Sequence, residues 1–352
     1  LKWAKENGYH SNYSSICKAA ARGGQLEALK WARENKGRGE DDLPGNACSG
    51  AANGNHLELL KWLKENGFLF TERVFKCAVK HGSMSMLQWL KDNGCPLTEY
   101  ACWIAARMGN IERLQWLTEN GGSWSKQVCA IATTRGHIEV LKWLREKGCP
   151  WDSSTTNMLA YRGELETLKW AVASGCRLRG SAGPMAAAGG HIEVLKWLIE
   201  TGCSLHDGIW FGASQGGHLD MLKWMKENGK TWDSIHTPGI ACEQAGAAGH
   251  QEVLKWWLIE NGSSCWEQTC DAAAKAGHLD ILTWAVNNTN TDVDWSRIGQ
   301  GGLRGGKLNI VRWLVAEGHP VPWTKLAQGE QERGKISFKL ELFLKRKGLI
   351  TF

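Results

Sequence analysis

The sequence predicts an all-α fold, an α-solenoid of about twelve helix-turn-helix units stacked in a row. Three observations predict it. The triplet Leu-Lys-Trp, or a close variant, recurs along almost the whole chain. The recurrences are 28, 31, 27, 27, 27, 27, 27, 27, 32, 28 and 29 residues apart. Each is preceded, at a fixed distance, by a small-residue segment that ends in Gly or, once, Asn. A period of this length, with two helical patterns per unit, marks repeats that bury their apolar faces against neighbours rather than around one central core.

The first Leu of each triplet serves as an anchor: Leu1, Leu29, Leu60, Leu87, Leu114, Leu141, Leu168, Leu195, Leu222, Leu254, Leu282 and Val311. The first helix of each unit is the small-residue segment, as in CKAAARGG, FKCAVKHG, ACWIAARMG, VCAIATTRG and CDAAAKAG. Gly lies five residues before the anchor in ten of eleven units, with Asn55 as the exception, which fits a left-handed residue ending that helix. The second helix carries apolar residues three and one before the anchor, at it, and two and three after it, a wide helical stripe. A further Gly commonly stops it, at Gly67, Gly94, Gly148, Gly175, Gly202 and Gly229. Glu or Asp stands two before the anchor in nine of eleven units, near the helix N-terminus, and Lys or Arg one after it in nine of twelve. That spacing complements the helix dipole and pairs the charges i,i+3.

All twelve anchors are followed two residues later by Trp, twelve of the 21 in the chain. The expectation is that this Trp ladder lies on the buried stripe, large rings filling against the Ala, Gly and Cys of the neighbouring helix. The repeats are expected to occupy residues 1–324, with 325–352 a degenerate C-terminal capping repeat, because KISFKLELFLKRKG keeps helical spacing but has no Trp. The long spacings mark insertions, read as loops, at residues 35–46, 231–245 and 287–298. Twelve units at about 10 Å each give a curved body on the order of 100 Å.

The run A-A-x-x-G-H-x-E-V-L-K-x-L-x-E-x-G, best matched at Ile131 to Gly148, Ala186 to Gly202, Ala213 to Gly229 and Ala273 to Ile281, resembles the second half of an ankyrin repeat. The resemblance runs to about Trp323. Two departures are systematic: Trp replaces a usual Leu, and the unit is about six residues short of the family's 33. The missing part is the β-hairpin finger with its Thr-Pro-Leu-His turn; only Thr237-Pro238 remains of it. Short, Trp-rich repeats of this kind are similar to arrays abundant in algae, other protists and giant viruses. The resemblance implies a partner-binding array whose concave side is lined by the first helices.

Composition excludes other classes. Apolar residues make up 43% and charged residues 22%, a globular balance, and no apolar run reaches the length of a membrane span. The chain opens on Leu1-Lys2-Trp3 in mid-helix by repeat phase, so it reads as truncated, and a targeting segment ahead of it stays open. Eleven of the twelve Cys fall in repeat phase: Cys95, Cys149, Cys176 and Cys203 follow the second Gly, and Cys17, Cys48, Cys77, Cys102, Cys129, Cys242 and Cys270 sit in first helices. Equivalent atoms of adjacent repeats are about 8–10 Å apart, beyond the ~7 Å a disulfide spans, and no C-x-x-C pair is present. The expectation is free buried thiols in a reducing, intracellular and cytoplasmic setting, with an organelle left open.

No enzyme is expected, and no cofactor or metal. His56, His137, His191, His218, His250 and His278 share one turn position, which points to a recurrent turn hydrogen bond. Gly212-Ala-Ser214-Gln-Gly216 mimics a nucleophile elbow, but no strand precedes it. Gly301 to Lys307 mimics a phosphate loop, but Leu308 stands where Ser or Thr belongs.

The expected binding residues lie near the end of the first helices. The two positions before the turn Gly carry Arg22, Lys80, Arg107, Arg135, Arg162, Lys275 and Arg304, with His81 and Tyr161, and never an acid. Stacking aligns them as a broken basic stripe, although cations there also complement the helix dipole. Trp103 and Trp210 enter first helices out of pattern and join the candidates; Trp124, Trp151, Trp232, Trp266, Trp295 and Trp323 form a second set in the loops. The expected function is a protein–protein interaction scaffold. The alternatives are a fixed structural subunit of a large assembly and polyanion binding through the stripe. Nucleic acid is disfavoured because the stripe is interrupted between Ala187 and Ala248 and lacks interleaved aromatics. Self-association stays open.

Overall fold

The structure is a computed structural model that describes residues 13–34, 46–203, 206–232, 234–288, 293–334 and 336–350. Every regular element among them is helical. The chain divides into two compact units, residues 1–155 and 156–352. In the first lie α1 (Tyr13–Arg22), α2 (Leu26–Glu34), α3 (Asn46–Asn53), α4 (Leu57–Glu65), α5 (Glu72–His81), α6 (Met84–Asp92), α7 (Glu99–Arg107), α8 (Ile111–Glu119), α9 (Lys126–Arg135) and α10 (Ile138–Glu146). The division falls within α11 (Ser153–Arg162). The second holds α12 (Leu165–Ala173), α13 (Ala182–Ala188), α14 (Ile192–Glu200), α15 (Gly208–Gly216), α16 (Leu219–Glu227), α17 (Thr237–Ala248) and α18 (Gln251–Lys255, continued by a π-turn at Trp256–Glu260). It ends with α19 (Trp266–Ala276), α20 (Leu279–Asn288), α21 (Trp295–Arg304), α22 (Leu308–Ala316), α23 (Trp323–Glu332) and α24 (Phe338–Arg346).

Within each unit the odd-numbered, small-residue helices pack side by side and the even-numbered helices form a second layer. The small residues are what let the first layer close up. A Cβ added to Gly50 on α3 would lie 2.6 Å from the Lys18 carbonyl oxygen on α1, and one on Gly54 would overlap the Arg22 carbonyl. Gly212 stands in the same relation to Pro184, and Gly305 to Lys275. These are contacts of backbone on backbone, which no larger residue permits.

All the anchors from Leu29 to Val311 are fully buried, as are the residues three further on, such as Leu63, Leu90, Leu117, Leu144 and Leu198. The Trp ladder is different, and corrects the expectation. Trp31, Trp62, Trp89, Trp116, Trp143, Trp170, Trp197, Trp224, Trp284 and Trp313 are only half-buried, and among the described residues of the ladder Trp256 alone is buried; Trp3 lies outside them. At about 100° per residue, two steps carry Trp some 200° around the helix from the anchor, off the core stripe. Its size brings it back over the loop that opens its own repeat. There it meets an aromatic edge: Phe70–Trp89 at 5.6 Å, Trp124–Trp143 at 6.0 Å, Trp266–Trp284 at 5.7 Å and Trp295–Trp313 at 6.1 Å. In these repeats the loop aromatic and the ladder Trp are therefore halves of one contact.

Successive repeats are latched at two places. The turn His reaches back to a carbonyl at the end of the preceding first helix: His56 to Arg22 O (3.0 Å), His137 to Arg107 O (3.1 Å), His218 to Ala188 O, His250 to Gln215 O and His278 to Ala247 O. These carbonyls have no partner within their own helix, so the next repeat caps them. The ring lies against the turn Gly of the preceding repeat. At Gly109, with φ +73°, an added Cβ would sit 2.7 Å from His137. That Gly is required twice, for its left-handed backbone and for the room. On the other layer, Arg33 donates to Asn66 Oδ1 (2.6 Å), Lys64 to the Asn93 carbonyl (2.9 Å), and Lys91 and Lys226 to Asn120 and Asn261.

The irregular repeat explains itself locally. Its second helix takes one extra residue in the π-turn, so Asn261 bonds the Trp256 carbonyl five residues back, where Asn66, Asn93, Asn120 and Asn228 reach four back. The expected loop at 231–245 is largely helical, because Pro238 near the start of α17 is compatible with a first turn. Residues 35–45 and 289–292 of the other insertions lie outside the described residues; Asn46 begins α3, and Trp295 begins α21.

Replacing Leu141 by Ala should destabilise its unit by about 2–5 kcal/mol. Replacing His137 by Ala should cost about 1 kcal/mol and act on the preceding repeat. Amide hydrogen exchange near the C-terminus of α7 should accelerate roughly fivefold, the factor corresponding to about 1 kcal/mol at room temperature. Unchanged exchange there would show that the His does not cap its neighbour.

Candidate partner-binding surface

In the first unit, α5 and α7 present adjoining faces. Tyr100, Trp103 and Arg107 fall on one side of α7 at i, i+3 and i+7, and Lys76 and Lys80 occupy matching places on α5. Tyr100 and Trp103 stack with centroids 4.9 Å apart and planes 16° apart. Lys76 Nζ lies over the Tyr100 ring at 4.3 Å, and the Arg107 guanidinium over Trp103 at 5.5 Å. Tyr100 is 43% exposed, and Lys80 and Arg107 are exposed beside it. Such cation–π contacts contribute about 0.5–1 kcal/mol each where exposed, so they set geometry more than stability.

The local field is positive. His81 is held below its ordinary pKa first by burial and then by Lys80, Arg22 and Arg113. Burial pushes the Cys77 thiol up, opposed by Arg73, Lys18 and Lys80. The acid here, Glu72, is lowered by its hydrogen bond with Lys76. Arg135 is exposed at the end of α9. Lys76 and Tyr100 were not singled out by sequence; the available signal was that Tyr100 precedes Trp103 by three and Lys76 is its counterpart one repeat earlier.

The candidates of the second unit divide. Tyr161 (46% exposed) and Arg162 are at the surface. Trp210 is not, contrary to expectation: it is 0% exposed, packed against Trp232 at 5.4 Å and Trp257 at 5.9 Å, and stacked on Trp256 at 6.4 Å. The doubled Trp256-Trp257 of the π-turn and the lengthened approach to α17 create a pocket that a first-helix Trp fills. Lys275 is paired with Asp271 (2.6 Å). Arg304 and Arg333 share the buried Glu330 at 2.9 and 3.0 Å, around an open hollow of about 570 Å³ that Lys275 and Gly305 also line. The stripe is thus neutralised here.

The two catalytic look-alikes are packing features. Ser214 is fully buried, and its Oγ accepts the indole N–H of Trp257 at 2.9 Å. Lys307 lies with its stem over Gly277, in the place that His takes in other repeats, and Asn309 donates to the Gly277 carbonyl (2.7 Å).

The Cys expectation needs one correction: Cys242 and Cys265 form a disulfide with Cα atoms 6.4 Å apart. They are 23 residues apart, at non-equivalent positions, one in α17 and one just before α19, so the spacing of equivalent positions does not apply. The other ten are not disulfide-bonded. Burial pushes Cys48, Cys102 and Cys270 up to about 11 and Cys95 up to about 12. Cys149 is lowered, chiefly by its hydrogen bond with Cys129.

No described helix is long and apolar enough to cross a membrane. The family model for ankyrin repeats in many copies matches residues 48–90, which span α3 to α6. Among solved structures, the pentatricopeptide repeat protein PPR10 from maize matches at 13% identity over 91% of this chain and 56% of its own, with a TM-score of 0.37. PPR10 in complex with an 18-nt psaJ RNA element matches at 15% identity over 90% and 60%, with a TM-score of 0.32. The chain therefore spans under two thirds of those structures. No curated protein matches.

Replacing Ser214 by Ala strands the Trp257 N–H and should cost about 1–3 kcal/mol in thermal or urea unfolding. A loss below a few tenths would mean that the bond is not structural. Alkylation of the folded chain near pH 8, mapped by mass spectrometry, should modify the half-buried Cys203 well before Cys48, Cys95, Cys102 or Cys270, whose thiolates are scarce there.

Proposed function

We propose that this ankyrin-repeat chain is a non-enzymatic binding scaffold that holds a protein partner on the exposed side of its first helices. One observation carries the reading: charge is distributed unequally between the two layers. In six second helices the lysine after the anchor is neutralised by the acid three residues before it, Lys30–Glu27, Lys61–Glu58, Lys142–Glu139, Lys169–Glu166, Lys196–Glu193 and Lys255–Glu252, all at 2.6–3.1 Å. Those pairs give a solvated surface and contribute little else. In the first unit Lys76 and Lys126 of the first helices are likewise paired, with Glu72 and Asp152, but the turn ends present the exposed cations Lys80 and Arg107 beside a stacked aromatic pair, the residue types that dominate interface hot spots. Arg22, Lys80, Trp103, Arg107 and Arg135 form the binding set there. Tyr161 and Arg162 form a separate candidate set in the second unit; Lys275 and Arg304, already paired, act there as structural ions. The last helices, α23 and α24, close the array as a cap.

The reading is tested with the full chain as bait, at low and high salt and after nuclease treatment. The expected result is one stoichiometric protein that survives both. Its retention should fall at least tenfold in the double variant Trp103→Ala, Arg107→Glu, and be unchanged in Lys61→Glu, Lys142→Glu on the other layer. Retention insensitive to the first pair would place the partner elsewhere and refute the proposal.

A further inference from the structure

Resting on that reading, we infer that the α5–α7 surface docks an extended acidic segment of the partner, with carboxylates on Arg107 and Lys80 and backbone laid over the edges of Tyr100 and Trp103. Three features point to this chemistry. The first is the donor character of the surface at its turn end. Lys80 and Arg107 donate and cannot accept, Lys76 is already held by Glu72, and no described residue bonds the Trp103 indole N–H or the Tyr100 hydroxyl. The exposed rims of stacked rings are the positive part of the aromatic quadrupole. A ligand that matches is rich in acceptors and negative.

The second is that the aromatic surface is already engaged. Tyr100 and Trp103 lie on one another, and a cation lies over each ring. A nucleobase that stacked here would have to displace Lys76 or Arg107, the cations needed for its own phosphate. This is unlike the open aromatic platforms that bind single strands. A carboxylate approaching from solvent meets the cations without disturbing the stack.

The third is spacing. Lys80 and Arg107 stand at the same position of adjacent repeats, so their helices are separated by about 8–10 Å. An extended chain in the polyproline-II form has three residues per turn and advances about 3.1 Å per residue, so residues three apart lie about 9 Å apart on the same face. Acids at every third position of an extended segment therefore fall in register with Lys80 and Arg107. Glu72 and Glu99, at the opposite ends of α5 and α7, confine the positive field to a narrow track.

The test uses the full chain and a fluorescein-labelled twelve-residue peptide with Glu at every third position in a Gly/Ser background, read by fluorescence anisotropy. The same peptide with Gln for Glu, one with the four Glu clustered, and a labelled U12 RNA are the comparison probes. The expected result is that the spaced Glu peptide binds at least tenfold tighter than its Gln form and severalfold tighter than the clustered form. That affinity should fall at least tenfold in Lys80→Gln, Arg107→Gln and in Trp103→Ala, each verified as folded by circular dichroism. Tighter binding of U12 through the same residues would overturn the proposal in favour of nucleic acid. Peptide binding that survives Lys80→Gln, Arg107→Gln would overturn it as unspecific attraction. If the pulled-down partner needs Trp103 and Arg107 but the Glu peptide neither binds nor competes with it, the acidic-segment proposal fails while the scaffold reading stands.

Discussion

The architecture depends on one close approach, the first helix of each repeat laid backbone-to-backbone against the first helix of its neighbour. That approach admits only small side chains on the touching faces, which is why these helices are built of Ala, Gly, Cys and Ser. It brings the terminal carbonyls of one helix within reach of the turn His of the next, so helix capping and repeat stacking become a single interaction. It also leaves the bulk of the apolar volume to the second helices, whose anchor Leu and the residue three further on fill the space between layers.

Charge follows from the same division of labour. Because second-helix acids and bases are placed i,i+3, the second layer cancels itself and presents a neutral, solvated surface. First helices have little side-chain volume to place, and the polar residues they do carry gather at the exposed turn end. In the second unit Lys275 and Arg304 are absorbed by Asp271 and Glu330, while in the first Lys80 and Arg107 stay outward beside two aromatic rings. One repeat pattern thus yields a stretch of paired cations and a stretch of exposed ones, depending on a single acid per repeat.

The sequence made most of the fold legible because the repeat averages over its own noise. Anchors, helix ends and both Gly positions recur often enough that no single residue has to be interpreted alone. Errors arose where a residue departed from the average or where two repeats met. By spacing, the ladder Trp belongs to the wide apolar stripe, but its place some 200° from the anchor leaves it at the edge of the core, and the structure returns it to the loop aromatics. Trp210 looked like a surface intrusion, since nothing local shows that Trp256 and Trp257 enlarge the space behind it. The Cys242–Cys265 bridge joins unlike positions and so escapes any argument from equivalence. Of the binding surface, Arg107, Lys80 and Trp103 were visible one by one. Their assembly with Tyr100 and Lys76 was not, because it needs helical phase and inter-repeat register at once.

The π-turn after Lys255 has a meaning for how such a chain changes over generations. A single inserted codon in a helix ordinarily rotates everything downstream by about 100° and throws its side chains off the face they served. Here the surplus is confined to five residues. Asn261 still finds the Trp256 carbonyl, Lys226 still finds Asn261, and the following helices keep their orientation. What is inherited from repeat to repeat is therefore a set of contacts rather than a residue count. A lineage can drift in length by one, as the spacings of 27, 28 and 29 record, without losing the stack.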